Sequence, residues 1–334
     1  GWRMKETKNM KKRLVIGTGG TIAGTGDEGK TTGYSSAQIK VDKLVDEIPC
    51  IGDLADVKSV ELFSVDSCDM DIPKLKKLAC YIEEMSKKDD VDGFVITHGT
   101  DTLEETAYFL NLTVHTDKPI VITGSMRPST AISADGPFNL YQAVALARSD
   151  EAVGKGVLVV FADAIYGARD IIKVNTFKTE AFNHKDLGSL GYMRDDAAFF
   201  YNSTVKNHTK NSEFKIDEES EIPSVEVVNF YLGDNVKILD CISKNSDGIV
   251  LGGAGSGGCS TEWNEKIKEI LDSGIPVVRS SRICNGLVTY SDEEVKDQGI
   301  YANNLSPQKA RILLMLALMK TKDLSELQSI FNRY

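Results

Sequence analysis

The chain has 334 residues, of which 41% are hydrophobic and 26% charged, the balance of a folded protein with a sizeable core rather than of a disordered one. With 39 Lys and Arg against 49 Asp and Glu the formal net charge is -10, which disfavours a nucleic-acid backbone or an anionic membrane as the main partner. The length is about twice that of a common domain, so a larger domain followed by a smaller one is expected.

The basic stretch from Lys5 to Arg13 reads as a surface tail. The apolar run after it is broken at Gly17-Thr18-Gly19-Gly20, too early for a secretory signal, and no run is long enough to span a membrane. With Met4 as a start this points to the cytoplasm; a periplasmic or secreted location is the alternative if a leader has been removed. Six cysteines lie far apart with no CxxC, and the four histidines are scattered without HExxH, so neither a disulfide scaffold nor a zinc site is indicated.

In chain order, Arg13–Gly17 is predicted as a buried strand ending in a glycine-rich turn, 37–48 as a helix and Ser59–Val65 as a strand. Asp71–Lys87 has helical spacing through Leu75, Leu78, Ile82 and Met85, with Asp71 as cap and Pro73 in the first turn. Gly93–Ile96 is a strand leading into Thr97-His98-Gly99-Thr100-Asp101. A helix over Thr102–Leu110, a strand over Pro119–Thr123, a helix over Ala134–Ala147 and a strand over Gly156–Ala162 follow.

Residues 164–200 look irregular with possible hairpin strands, and the polar stretch 204–224 reads as a linker. Afterwards the alternation restarts: strands at Val225–Asn229, Gly248–Leu251 and Pro276–Arg279, helices near 233–244 and 261–273, and an amphipathic helix over Pro307–Met319. The expected fold class is therefore α/β. A large N-terminal domain (11–203) holds a mainly parallel sheet flanked by helices, and a smaller C-terminal α/β domain occupies 225–334. Sites in such sheets lie beyond the carboxyl ends of the strands, which brings the threonine-rich turns after the first strand and after Gly93–Ile96 to one end.

Two motifs mislead. Gly24-Thr25-Gly26-Asp27-Glu28-Gly29-Lys30-Thr31 matches GxxxxGK[ST], but it starts well after the strand and carries Asp27 and Glu28 where a phosphate would be repelled; a mobile lid is the better reading. Gly17-Thr18-Gly19-Gly20-Thr21-Ile22 fails the dinucleotide fingerprint at Ile22.

TGGTIAGT at 18–25, HGTDTLEETAYFL at 98–110, ITGSMRP at 122–128, DGPFNL at 135–140 and SPQKARILLMLAL at 306–318 together resemble the bacterial-type L-asparaginases, closest to the high-affinity type II group, over nearly the whole chain. The resemblance implies hydrolysis of the L-asparagine side-chain amide without metal or organic cofactor. It also implies a homotetramer of two intimate dimers, each site lying between the large domain of one subunit and the small domain of another. Carried over, Thr21 is the nucleophile and Tyr34 its activating partner, with Thr100, Asp101 and Lys173 a second constellation. Ser67 holds the substrate α-carboxylate and Asp101 its α-amino group, with Cys68 beside them, while the acid from the adjacent subunit falls on Glu293, or on its neighbour Glu294.

The chemistry asks for such residues. A threonine hydroxyl needs a proton path, which Tyr34 could supply, and a buried lysine can relay protons with Thr100; a plain salt bridge from Lys173 to Asp101 is compatible with that role. Direct attack by a water held at Thr100 is the mechanistic rival. Two departures stand out: Cys68 where relatives carry Gln or Glu, and Gly258 where they carry Asn or Ser, in a run that also reads as a tight glycine turn. A dual glutaminase-asparaginase and a silent amino-acid-binding protein remain the alternative functions.

Overall fold

The computed structural model describes residues 11–183 and 185–334; the N-terminal tail up to Met10, Met4 included, lies outside them. The chain forms two compact units, the first ending at Thr204 and the second comprising Val205–Tyr334. No described helix is long and apolar enough to cross a membrane.

The first unit contains β1 (Lys12–Gly19), α1 (Val41–Asp46), α2 (Ile51–Leu54), β2 (Asp56–Val65), α3 (Ile72–Ser86), β3 (Gly93–Thr97), α4 (Leu103–Thr113), β4 (Ile120–Thr123), α5 (Gly136–Arg148) and β5 (Val157–Phe161). After these come β6 (Ala164–Gly167), β7 (Ile172–Lys173), β8 (Phe182–Asn183), β9 (Gly191–Arg194) and β10 (Ala197–Phe200). Eight strands make one sheet in the order β10-β9-β6-β5-β4-β3-β1-β2. β2, β1, β3, β4 and β5 are mutually parallel, and β6, β9 and β10 extend the sheet antiparallel.

The parallel strands β3, β4 and β5 are buried at every residue, as their unbroken apolar runs require when helices cover both faces. Val15, Val95, Val121 and Leu158 share a core with Val41, Leu44, Ile51, Leu54 and Leu140 from α1, α2 and α5. On the other face α4 packs on β4 and β5, with α3 against it. The Asp71 carboxylate accepts the Lys74 N–H at 2.9 Å and caps α3, with proline in the first turn. Because β2 lies on one side of β1 and β3 on the other, the strand order reverses at β1, and sheets of this kind hold their sites at the carboxyl ends of the strands at such a point.

The second unit has a four-stranded parallel sheet, β11 (Val225–Asn229), β12 (Gly248–Gly253), β13 (Val277–Ser281) and β14 (Ile300–Tyr301) in that order. Its helices are α6 (Lys237–Ser243), α7 (Thr261–Asp272), α8 (Val295–Gln298), α9 (Pro307–Leu318) and α10 (Leu324–Arg333). Leu239, Trp263, Ile267 and Ile270 of α6 and α7 pack on Val228, Ile249 and Leu251, while α9 packs on β11, β12 and β13.

Three expectations are corrected. The helix expected over 37–48 shrinks to α1, because Ala37 is left-handed (φ 57) and the chain there is tethered: its N–H reaches Gly20 O at 3.0 Å, and the Gln38 and Ile39 N–H groups both reach Ala23 O. The stretch 204–224 is not a free linker. Phe214 is buried with its ring 4.9 Å from that of Tyr334, and Glu213 pairs with Arg333 and Lys320. Finally, α10 and β14 had no place in the expected series; Gln328 of α10 accepts the Tyr301 N–H at 2.9 Å and so docks the two elements together.

Candidate active site

Three turns leave the carboxyl ends of β1, β2 and β3 and are pressed together. Gly20 is left-handed (φ 83), and a Cβ there would lie 2.4 Å from the Gly99 backbone nitrogen; a Cβ on Gly99 would lie 2.6 Å from that of Ser67. Only glycines allow so close an approach. The first turn presents Thr21, the second Ser67 and Cys68, the third Thr100 and Asp101.

Thr21 is 8% exposed, and its hydroxyl shares a hydrogen bond of 3.0 Å with the Tyr34 hydroxyl. Tyr34 sits on the segment that carries the false nucleotide motif. That segment runs into no helix; Thr25 and Ser35 pair antiparallel across it. Its far end is seated on residues 129–131: the Gly26 N–H donates to Thr130 Oγ1 at 3.0 Å, the Gly29 N–H to Thr130 O at 2.8 Å, and the Ser129 hydroxyl to Gly24 O at 2.8 Å. The seat is itself fixed by Asp135, whose carboxylate accepts the Met126 and Arg127 N–H groups. Burial pushes the Asp135 carboxyl above its ordinary range, and those two donors oppose the shift.

Lys173 arrives on a separate hairpin in which β7 pairs with β8. Its ammonium, largely buried, donates to Thr100 Oγ1 at 2.8 Å and to Asp101 Oδ1 at 2.6 Å. The expected triad is thus assembled, and the salt bridge and the bond to Thr100 coexist. Ser67 is buried, and its carbonyl accepts the Thr102 hydroxyl at 2.8 Å. Cys68 is exposed, with Sγ 3.8 Å from Asp101 Oδ2; desolvation pushes its thiol up, and the charges of Asp101 and Asp66 add to that.

Glu293 belongs to the second unit, on the short turn Asp292–Glu294. Both oxygens of the neighbouring Glu294 are occupied, by Ser291 and by Gln298, whereas the Glu293 side chain is exposed and takes no part in that cap. Of the two acids considered, Glu293 is the one left available. In the glycine run, Ala254 and Gly258 exchange both backbone hydrogen bonds, at 2.8 and 2.7 Å, closing a tight turn.

Several groups escaped the sequence reading. His98, fully buried, donates from Nδ1 to Gly99 O at 2.7 Å, and its Nε2 accepts the Thr106 hydroxyl at 2.8 Å. It stands directly before the turn bearing Thr100, within a motif already quoted. The Asn139 amide bonds Gly124 O at 2.9 Å and the Ala162 N–H at 3.2 Å, tying the ends of β4 and β5 together. Asp66 and Ser36, 3.0 Å apart, join the second turn to the Tyr34 segment. None had a one-residue signal to separate it from an ordinary turn.

Burial lowers the His98 pKa to about 4, so the ring is neutral in the folded protein near neutrality. The unfolded chain takes up that proton near pH 6.5, so the contribution is complete above that pH and is lost as pH falls toward 4. We expect about 2 kcal/mol of lost stability from this residue between pH 7 and pH 5. Urea midpoints at the two pH values should differ less in His98→Gln than in the unaltered chain; equal pH dependence would remove His98 as the cause.

The Asparaginase, N-terminal family model matches residues 12–206, and the Glutaminase/Asparaginase C-terminal domain model matches residues 224–331. The chain is 45% identical to L-asparaginase 2 of Bacillus subtilis (98% of this chain, 88% of the relative) and 43% identical to the glutaminase-asparaginase of Acinetobacter glutaminasificans (96% and 99%). A crystal structure of a probable cytoplasmic L-asparaginase from Campylobacter jejuni superposes with a TM-score of 0.93 at 45% identity, covering 97% of this chain and all of that one. With both domain models matched in order over a chain whose strand-end turns carry the expected threonines, this protein belongs to the asparaginase family.

Proposed function

We propose that the protein hydrolyses the side-chain amide of L-asparagine to L-aspartate and ammonia. The observation that carries this reading is the pairing, on abutting turns, of Thr21 with Tyr34 and of Thr100 with Lys173 and Asp101. Thr21 Oγ1 attacks the amide carbon while its proton leaves through the Tyr34 hydroxyl. The C–N bond then breaks, and nitrogen departs as ammonia once protonated. A water beside Thr100, with Lys173 managing its proton, attacks the resulting ester and frees the aspartate side chain and Thr21. Backbone N–H groups of the Thr21 and Thr100 turns would meet the oxyanions. Ser67 and Asp101 would take the substrate α-carboxylate and α-ammonium, with Cys68 lining that end.

Ammonia release from L-asparagine and L-glutamine, measured side by side, tests this. A second reading, a dual glutaminase-asparaginase, is favoured by the Acinetobacter relative of that name. One methylene is discriminated by only about 1–3 kcal/mol, so comparable rates on the two amides would establish the dual enzyme. No release from either would leave an amino-acid-binding protein.

The reading includes a homotetramer in which Glu293 of a neighbouring subunit completes each site, to be checked by light scattering. A cytoplasmic location is part of it too, supported by the Campylobacter neighbour described as cytoplasmic; the Haemophilus influenzae relative, 38% identical, is described as periplasmic, and fractionation decides. Gly258 serves the turn rather than catalysis. A Cβ there meets nothing nearer than Ala254 O at 3.4 Å, so Gly258→Asn is expected to hold its unfolding free energy, measured by urea denaturation, within about 0.5 kcal/mol. Unchanged asparagine kinetics would keep the glycine in the turn; a shifted KM would bring it to the substrate.

A further inference from the structure

The residue before the substrate serine has two partners. Asp66 Oδ1 accepts the Cys68 N–H at 2.9 Å and so shapes the turn that presents Ser67. Oδ2 accepts the hydroxyl of Ser36 at 3.0 Å, two residues beyond Tyr34 on the segment that covers Thr21. One carboxylate therefore spans the substrate turn and the lid. The Cys68 N–H, then the Ser36 hydroxyl and the Lys173 charge, hold the Asp66 carboxyl below its ordinary range against some burial, so it is ionised at neutral pH.

Charge balance gives this carboxylate a second consequence. Lys173 pairs directly with Asp101 at 2.6 Å and acts on Asp66 only from further off, since among the described residues no cation stands within ion-pair distance of Asp66. Ligating atoms of Asp66, Cys68 and Asp101 all lie within 4.8 Å of one another, so the charge of Asp66 adds to that of Asp101 where Asp101 Oδ2 faces the Cys68 thiol at 3.8 Å. An anion there attracts an ammonium and repels a carboxylate.

We propose that Asp66 is a specificity-determining and positioning residue of this site: its charge selects substrates bearing an α-ammonium, and its bond to Ser36 latches the lid that carries Tyr34. The inference rests on the asparaginase reading and adds a determinant to it. A latch on the substrate turn means that the lid closes where the substrate backbone groups are held. A substrate lacking the α-ammonium gains nothing from the charge but shares the latch.

The test compares unaltered protein, Asp66→Asn and Ser36→Ala. Its readouts are KM and kcat for L-asparagine, with L-aspartate and its deamino analogue succinate as competitive inhibitors. In Asp66→Asn the side-chain amide can still accept from the Cys68 N–H and donate to the Ser36 hydroxyl, so the substitution removes charge and keeps shape. Expected for Asp66→Asn is a rise of ~10-fold in KM and in the L-aspartate Ki, kcat within ~2-fold, and a succinate Ki that is unchanged or lower. Ser36→Ala should reduce kcat/KM by ~3-fold and weaken both inhibitors alike. Equal weakening of L-aspartate and succinate in Asp66→Asn, or no change in either, overturns the charge assignment; unchanged kinetics in Ser36→Ala overturns the latch. Unaltered protein that releases no ammonia from L-asparagine overturns the functional reading, and the inference with it, whereas the other outcomes leave that reading standing.

Discussion

Thr21→Ala is expected to lower kcat for ammonia release from L-asparagine by at least ~10³-fold while leaving the urea midpoint nearly unchanged. The hydroxyl makes one described side-chain hydrogen bond, to Tyr34, so its removal costs the fold little. On the proposed route its removal also takes away the atom that bonds to the amide carbon. Thr21 heads a three-residue turn fixed by its neighbours rather than by its own side chain: the Gly24 N–H reaches Thr21 O at 2.8 Å, and Ala23 O receives the Gln38 and Ile39 N–H groups. The turn should therefore persist in the variant. Steady-state ammonia assays with a folding control distinguish the outcomes. Near-normal turnover in Thr21→Ala would sink the covalent route and transfer the chemistry to a water held by Thr100 and Lys173.

Gly20→Ala is expected to destabilise the first unit by about 2–5 kcal/mol and to abolish activity together with it. The left-handed backbone at φ 83 is strained for alanine whatever its surroundings. In addition the methyl would collide with Gly99 N at 2.4 Å and Gly99 Cα at 2.5 Å, both backbone atoms of the turn bearing Thr100. Relief requires the Thr21 and Thr100 turns to move apart, and the Gly20 N–H must then loosen from Val65 O, at 2.9 Å. Chemical denaturation of the two variants side by side should show the contrast: Thr21→Ala stable and inactive, Gly20→Ala unstable and inactive. A fully stable Gly20→Ala would mean that the two turns are not in contact.

Much of this site was readable before the fold was known, and for an identifiable reason. The parallel strands are buried on both faces, so they appear as unbroken apolar runs such as GFVIT, and their carboxyl ends are marked by abrupt changes to Gly, Thr and Asp. Thr21, Thr100 and Asp101 stand at those changes. Lys173 was named by resemblance alone. It lies on a two-residue strand among residues with no clear periodicity, and only its hairpin with Phe182–Asn183 aims it at Thr100.

Local sequence by itself determined the parallel core, the cap of α3 at Asp71, the glycine turn ahead of Thr21 and the residue types that the chemistry needs, because each depends on neighbours a few positions away. The tertiary structure decided what depends on distant partners. It shortened α1 by tethering Ala37 to Gly20 and folded the polar stretch before Val225 onto α10 through Phe214. It also set Asp66 between Ser36 and Cys68, making one exposed carboxylate a contact of both the Tyr34 segment and the Ser67 turn. Contacts between residues far apart in the chain, such as Ser36 with Asp66 or Phe214 with Tyr334, leave no period in the sequence, so only the folded chain displays them.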